Sequence, residues 1–312
     1  MTSRQFITLS VLVLIWGCSF LFIRVLLDAD MEPLGVSGAR LAMGAAVLAP
    51  LAWAGRAQLP RDVRTWTLLA ALGVFNFALP WTLFPISQQH IPSGVASIAN
   101  ACTPLWAAVI AAVLIPGEHF TLRRAAGLGM GFVGIVTLMA GDVGGVDGNW
   151  AWGILGVVVA TLLYGLSAVF IRLRMREVAP VALATGQIAV AALAIMPLAL
   201  ATGAYNDAEM GAAEWGSLVA LGGIGSGVGP VVYMALIQDV GPVRASVVTY
   251  LMPPIGVFLG WSLLDEVIGW NLVIASALIV SGVALVQNVP LRRLPRAAHR
   301  RFVRAASTPL EP

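Results

Sequence analysis

The chain contains no lysine: all 18 of its basic side chains are arginine. Charge of either sign is scarce, at 11% of 312 residues, and there are only three histidines and two cysteines. His90, His119 and His299 are scattered, and Cys18 and Cys102 fall inside apolar runs without metal or redox spacing. No metal centre or cofactor is therefore expected, and both thiols read as packed side chains. Neither HExxH nor GxSxG occurs, and no acids converge within an apolar run, so an intramembrane enzyme would lack its nucleophile–base set. Gly129, Gly131 and Gly134 do spell GxGxxG, but with no strand before them they do not indicate a dinucleotide site.

What the chain has in quantity is hydrocarbon. Hydrophobic residues make up 59% of it and its mean hydropathy is +0.90, which places it among polytopic membrane proteins. Windows long enough to cross a bilayer fall at 5–25, 34–54, 66–88, 93–115, 122–140, 151–172, 180–202, 215–237, 243–264 and 269–288. Ten spans leave no room for a soluble domain or for the output module of a receptor. Arg4 followed by an apolar run has the look of a signal peptide, but no small-residue cleavage site precedes Trp16 and Phe20. We read an uncleaved first span, and the bulky Trp16 speaks against lipid attachment at Cys18.

Arginine gives the orientation. Assigning alternate loops to the cytoplasm collects 16 of 18 arginines there, with both termini inside. The opposite loops hold acids such as Asp28, Asp30, Glu32, Asp207 and Glu214. The net charge of +3 is then a topology signal for a bacterial cytoplasmic membrane rather than a sign of a nucleic-acid partner. The basic tail, 291–312, reads as a retention signal, with contact to anionic lipid heads as the alternative.

The chain also repeats itself. Trp16-Gly17-Cys18-Ser19-Phe20-Leu21-Phe22-Ile23-Arg24 and Tyr164-Gly165-Leu166-Ser167-Ala168-Val169-Phe170-Ile171-Arg172 agree at five of nine positions, at an offset of 148. Pro33 and Arg40 answer to Pro180 and Gln187 at 147; Trp66, Gly73 and Gln89 answer to Trp215, Gly222 and Gln238 at 149. Ser97, Asn100 and Pro104 answer to Ser246, Thr249 and Pro253 at 149, and Glu118 to Glu266 at 148. A near-constant offset over consecutive helices marks an internal repeat. Five spans is an odd number, so the second copy must enter from the other face of the membrane. The expected architecture is an all-α integral membrane protein of ten transmembrane helices, in two inverted five-helix repeats around a central cavity. Residues 1–144 form the first repeat, 145–290 the second and 291–312 the tail. Inversion also accounts for Arg24, which breaks the charge rule while its counterpart Arg172 obeys it.

These residues resemble the EamA family of the drug/metabolite transporter superfamily. The likeness runs through Trp16-Gly17 with Ser19-Phe20, Ala39-Arg40, Pro104 with Gly117-Glu118, Gly186-Gln187, and Pro242-Val243-Arg244-Ala245-Ser246 leading to Pro253 and Glu266. The resemblance implies two five-helix repeats around a cavity and export of small metabolites such as amino acids. Two departures stand out: one extra residue separates Pro104 from Glu118 compared with Pro253 and Glu266, and Asp265 stands where the family usually has glycine.

On a helix Ser93, Ser97, Asn100 and Pro104 share one narrow face, the only polar one in their span. It either lines a wet pocket or glues two helices together. Asn76, Pro80 and Ser87 share a face in the third span; Trp16 with Ser19 and Tyr164 with Ser167 are related pairs; Thr249 and Tyr250 join from the ninth. Together they offer hydrogen bonds to a polar head and flat walls for an apolar body, with interhelical packing as the alternative for each residue. Arg40 lies about 9 Å into its span at ~1.5 Å per residue. There it either draws in a carboxylate, or snorkels, or pairs with Asp28, Asp30 or Glu32.

The candidate substrate-binding residues are thus Trp16, Ser19, Arg40, Asn76, Ser97, Asn100, Pro104, Tyr164, Gln187, Thr249 and Tyr250. Gly225, Gly229 and Pro253 are candidates for gating, since the glycines from Gly222 to Gly229 before Pro230 either soften the eighth span or pack it tightly. Gly127/Gly131, Gly223/Gly227 and Gly256/Gly260 are GxxxG pairs that permit close helix approach. All 15 acids lie at span ends or in loops, which leaves no mid-membrane proton carrier and favours downhill or weakly proton-linked export. Glu118 and Glu266 are expected to pair with loop groups or cap the next helix, and His90 is a solvated histidine or a proton sensor. The expected partners are a small-molecule substrate and the bilayer, in an oligomeric state left open, monomer included. A lipid or lipid-linked-sugar flippase on the same fold is the rival function.

Overall fold

Backbone groups in hydrocarbon have only each other to bond, so long apolar runs become helices. The computed structural model describes residues 3–54, 59–60, 62–115, 121–139 and 149–286, and all regular structure among them is helical. Eight helices are long and apolar enough to cross a membrane. They are α1 (Ile7–Asp28), α2 (Pro33–Ala54), α3 (Val63–Gln88), α4 (Ser93–Leu114), α5 (Leu122–Met139), α6 (Trp150–Arg174), α7 (Pro180–Ala201) and α8 (Ala212–Val240). Two shorter apolar helices follow, α9 (Pro253–Leu263) and α10 (Trp270–Val286).

The expected ninth span is therefore broken into two single turns, Pro242–Ala245 and Val247–Tyr250, and then α9. Pro253 and Pro254 remove two successive N–H donors, which is enough to stop a helix approaching from below. Pro104 has a milder effect in α4, dividing it into Ser93–Asn100 and Thr103–Leu114. The Asn100 carbonyl, which Pro104 leaves without a backbone donor, accepts a bond from the Thr103 hydroxyl at 2.9 Å. The boundary expected near residue 144, the tail 291–312, Gly117 and Glu118 all lie outside the described residues.

Two prolines alter helix winding rather than ending it. Pro80 and Pro230 withhold the N–H that would serve the carbonyls of Asn76 and Ser226 four residues earlier. In both places the winding shifts to i→i+5 bonding, over Val74–Ala78 in α3 and Val219–Val228 in α8, with Leu79 N–H on Val74 O and Gly229 N–H on Ile224 O. Such π-turns rotate everything beyond them relative to an ideal helix.

Small residues decide which helices touch. α2 runs along α7 and α5 along α10; α8 leans on α2 as α3 leans on α7; α6 packs against α3 and α4; α9 packs against α4. Gly127 and Gly282 meet face to face: a methyl on either would stand within about 2.5 Å of the other's carbonyl oxygen. Gly256 lies as close to Ser97, but against its side chain rather than its backbone. Ser37, in α2, donates to the Trp81 carbonyl of α3 at 2.8 Å, fixing the height of one helix against the other.

Candidate functional site

A cavity of about 80 Å³ lies where α1, α2, α3, α4, α6 and α8 converge. A buried water takes about 10–15 Å³ on this scale, so the space holds a few waters or a small ligand. Its walls are mainly aromatic. Trp16 of α1 meets Tyr233 of α8 edge-on, centroids 5.1 Å apart, while Tyr164 of α6 stacks with Phe84 of α3 at 6.1 Å. Phe20 and Phe77 fill the corners between them.

Each polar side chain in the wall is set by a neighbouring helix. Arg40 is 4% exposed, and its Nε donates to the Ser226 hydroxyl at 3.1 Å. Its guanidinium carbon sits 3.8 Å from the centroid of the Trp81 ring, in a cation–π contact. Ser226 stands in the π-turn of α8 and itself donates to Leu221 O. The corresponding contact on the other side runs from Asn76, in the π-turn of α3, to Gln187 of α7 at 3.0 Å. Trp16 Nε1 donates to the carbonyl of Gly225 at 2.9 Å, a bond that pins the indole against the α8 π-turn. Gly229 lies directly beneath that ring, 2.7 Å from Trp16 Nε1 to where a Cβ would stand. From α4, Asn100 turns its amide nitrogen to the Met252 sulfur at 3.3 Å and leaves its buried Oδ1 without a partner among the described residues.

Of the residues expected at the site, Trp16, Ser19, Arg40, Asn76, Asn100, Tyr164 and Thr249 line this cavity. Gln187 lies one layer out, behind Asn76. Ser97 is elsewhere: its hydroxyl donates to Gly94 O and its Cβ packs on Gly256, so it serves the α4–α9 contact. Pro104 is buried at the start of the second half of α4 and does not line the space. Of the stripe from Ser93 to Pro104 only Asn100 reaches the cavity: Ser93 and Ser97 lie on the same unbroken helix but in earlier turns, where α9 packs, and Pro104 lies beyond the break between Asn100 and Thr103. Ser87 points at Gly156 of α6 instead, since the π-turn rotates the rest of α3 away from the ideal face. The side chain of Tyr250 is outside the described residues. Among the gating candidates, Gly225 and Gly229 form the shelf under Trp16, and Pro253 is buried at the head of α9.

Arg40 neither snorkels nor pairs with an acid; among the described residues its partners are a hydroxyl and an indole. Glu266 does cap a helix, though not the next one. Its carboxylate accepts from the backbone N–H groups of Ser93 at 2.6 Å and Gly94 at 2.8 Å, tying the chain after α9 to the start of α4. That position favours an anion because the first helical N–H groups and the helix dipole point at it. Sequence reasoning missed Trp81, Phe84 and Tyr233. Trp81 had no signal beyond being five residues after Asn76, whereas Phe84 and Tyr233 are paired aromatics at the repeat offset of 149.

Helices of this length and hydropathy, packed around a buried aromatic chamber with a few polar side chains, define a multi-pass membrane protein. The chain belongs to the EamA-like transporter family, whose profile matches it twice, over residues 5–140 and 151–287. Among relatives, the uncharacterized transporter YoaV of Bacillus subtilis is 24% identical over 86% of this chain and 92% of its own. The uncharacterized inner membrane transporter YedA of Escherichia coli K12 is 27% identical over 88% of each. A probable terminal-alkyne amino-acid exporter of Streptantibioticus cattleyicolor is 26% identical over 92% of this chain and 94% of its own. A crystal structure of a protein 22% identical superposes with a TM-score of 0.65, covering 95% of this chain and 99% of that one, so the fold is shared. Family and relatives alike are transporters, a class distinct from enzymes.

Proposed function

We propose that the protein exports small amphipathic metabolites bearing a carboxylate, amino acids among them, by alternating access across a bacterial cytoplasmic membrane, with both termini inside. The observation that carries this reading is Arg40: a buried guanidinium at the wall of an aromatic chamber, with no carboxylate partner among the described residues. An unpaired buried cation is costly unless a ligand supplies the opposite charge. Trp16, Tyr233 and Phe84 offer flat apolar contact to the rest of the molecule, and the unpartnered Asn100 Oδ1 offers an acceptor to an N–H or O–H donor. The amino-acid exporter among the relatives points the same way.

Ten spans in two inverted repeats are part of the proposal. In its support, similar contacts recur in both halves: Arg24 donates to Gln88 O and Arg172 to Gln238 O, and Asn76, four residues before Pro80, donates to Gln187 while Ser226, four residues before Pro230, accepts from Arg40. The described cavity lining has neither carboxylate nor histidine, so transport is expected to run downhill or with weak proton linkage. Flux of labelled amino acids through reconstituted protein tests the reading. Arg40→Gln is expected to lower it at least tenfold at subsaturating substrate, with Arg40→Lys in between, while protein yield and thermal stability hold. Unchanged flux in Arg40→Gln, or lipid scrambling in place of amino-acid flux, would reject it, the second outcome in favour of a flippase.

A further inference from the structure

The two ends of the bundle treat the same architectural position in opposite ways. At one end Arg24 donates to the Gln88 carbonyl and is neutralised four residues on by Asp28, at 2.9 Å. At the other, Arg172 donates to the Gln238 carbonyl, but the residue four further on is Arg176. The ion pair of the first repeat has become a like-charge pair in the second. Arg176 lines the same cleft as Arg172, and so do Arg244, from the turn before α9, and Arg124 of α5.

This cleft has a volume of about 560 Å³, far larger than the central cavity, and shares no lining residue with it. No acidic residue is among its described lining; Glu177 and Asp239 adjoin lining residues in sequence, and Asp239 has a contact of its own. Arg176 and Arg244 are exposed, and Arg124 has contacts of its own, so the charge that asks for a partner is that of Arg172, Arg176 and Arg244. Beside them the wall is apolar, formed by Ile115, Leu173 and Val286 at the ends of α4, α6 and α10. A cationic floor next to an apolar wall at the end of a membrane helix bundle fits a phosphate group joined to an acyl chain.

We propose that this cleft is a phosphate-binding site, occupied by the headgroup of an anionic phospholipid between α4, α6 and the turn before α9. The guanidinium groups of Arg176 and Arg244 bond the phosphate oxygens, Arg172 adds charge while keeping its hold on Gln238, and the acyl chain lies against Leu173 and Val286. Free phosphate shares the headgroup's chemistry and is the other source of such a ligand.

Native mass spectrometry of the full chain in detergent, titrated with phosphatidylglycerol or phosphatidylcholine and with or without inorganic phosphate, tests this without any transport assay. A failure here thus leaves the reading of the central cavity untouched. Phosphatidylglycerol is expected to bind in preference to phosphatidylcholine, roughly tenfold more weakly after Arg176→Gln and weaker again in Arg176→Gln/Arg244→Gln. Arg174→Gln, an exposed arginine of α6 outside the cleft, is expected to bind as the wild type does. Displacement of the lipid by millimolar inorganic phosphate would assign the cleft to phosphate from either source, and resistance to it would assign it to the headgroup. Equal loss in Arg174→Gln, or full affinity in the double variant, overturns the proposal. All three side chains are exposed, so folding is expected to survive and is checked by elution volume.

Discussion

Asn76 and Gln187 illustrate how little freedom the buried polar residues have. Each is the other's partner across α3 and α7, and Gln187 Nε2 is already unpaired among the described residues. Replacing Asn76 alone by leucine strands the second polar atom of Gln187, and is expected to cost about 1–3 kcal/mol. Replacing both together should cost clearly less, which a thermal-denaturation double-mutant cycle in detergent measures. Much at this scale was legible in the sequence, because polar residues are rare there and repeat at a fixed offset. Arg40, Asn100 and Trp16 stood out for that reason, and Asn76 for its rarity alone. Ser97, Pro104 and Ser87 do not line the cavity: Ser97 sits one turn before Asn100, against α9, while for Pro104 and Ser87 the face of an ideal helix was extended through a break in one case and a π-turn in the other. Both distortions depend on how neighbouring helices accept the orphaned carbonyls, which a one-dimensional pattern does not contain.

Among the elements, the glycines of α5, α8 and α10 divide into two kinds. Gly127 and Gly282 bring backbone against backbone, and Gly282→Val is expected to push α5 and α10 apart at a cost of about 1–3 kcal/mol, lowering thermal stability. Gly229 supports a side chain instead. Gly229→Ala should displace Trp16 from the Gly225 carbonyl and reduce transport several-fold, with a smaller effect on stability, as paired flux and melting measurements would show. At the start of α3, the Thr65 N–H holds the Asp62 carboxyl below its usual range. Because the folded value is depressed, this cap is present at neutral pH and is lost only as the pH falls through the lowered value. A smaller protection factor for the Thr65 amide in acid, measured against its intrinsic exchange rate at each pH, would report it. The proline-linked π-turns were half legible: Pro80 and Pro230 announced a disturbance, and the glycine run in α8 suggested softness, but the form it took follows from packing.

The molecule as a whole is tied at one end and parted at the other. Glu266 binds the chain after α9 to the first turn of α4, while at the far ends of the same two segments Ile115 and Val243 face the 560 Å³ cleft. Glu266→Gln weakens two charge-assisted bonds and is expected to cost about 1–2 kcal/mol in this conformation. Spin labels near Ser93 and Leu263 should report a broader, longer distance distribution in that variant. The repeat and the number of apolar windows were readable in advance because both are properties of composition and offset. The tie made by Glu266 was not, because it joins residues 172 and 173 positions apart whose meeting depends on the fold itself.

The interruptions at Asn100–Thr103 and ahead of Pro253 fall level with the chamber, so each of these segments behaves as two rods joined at a knee. Tilting the rod on one side of a knee need not drag the rod on the other. In the alternating access proposed above, the far halves would swing together over the arginine-lined mouth while Glu266 keeps the near halves clasped, and the bending would fall at these joints.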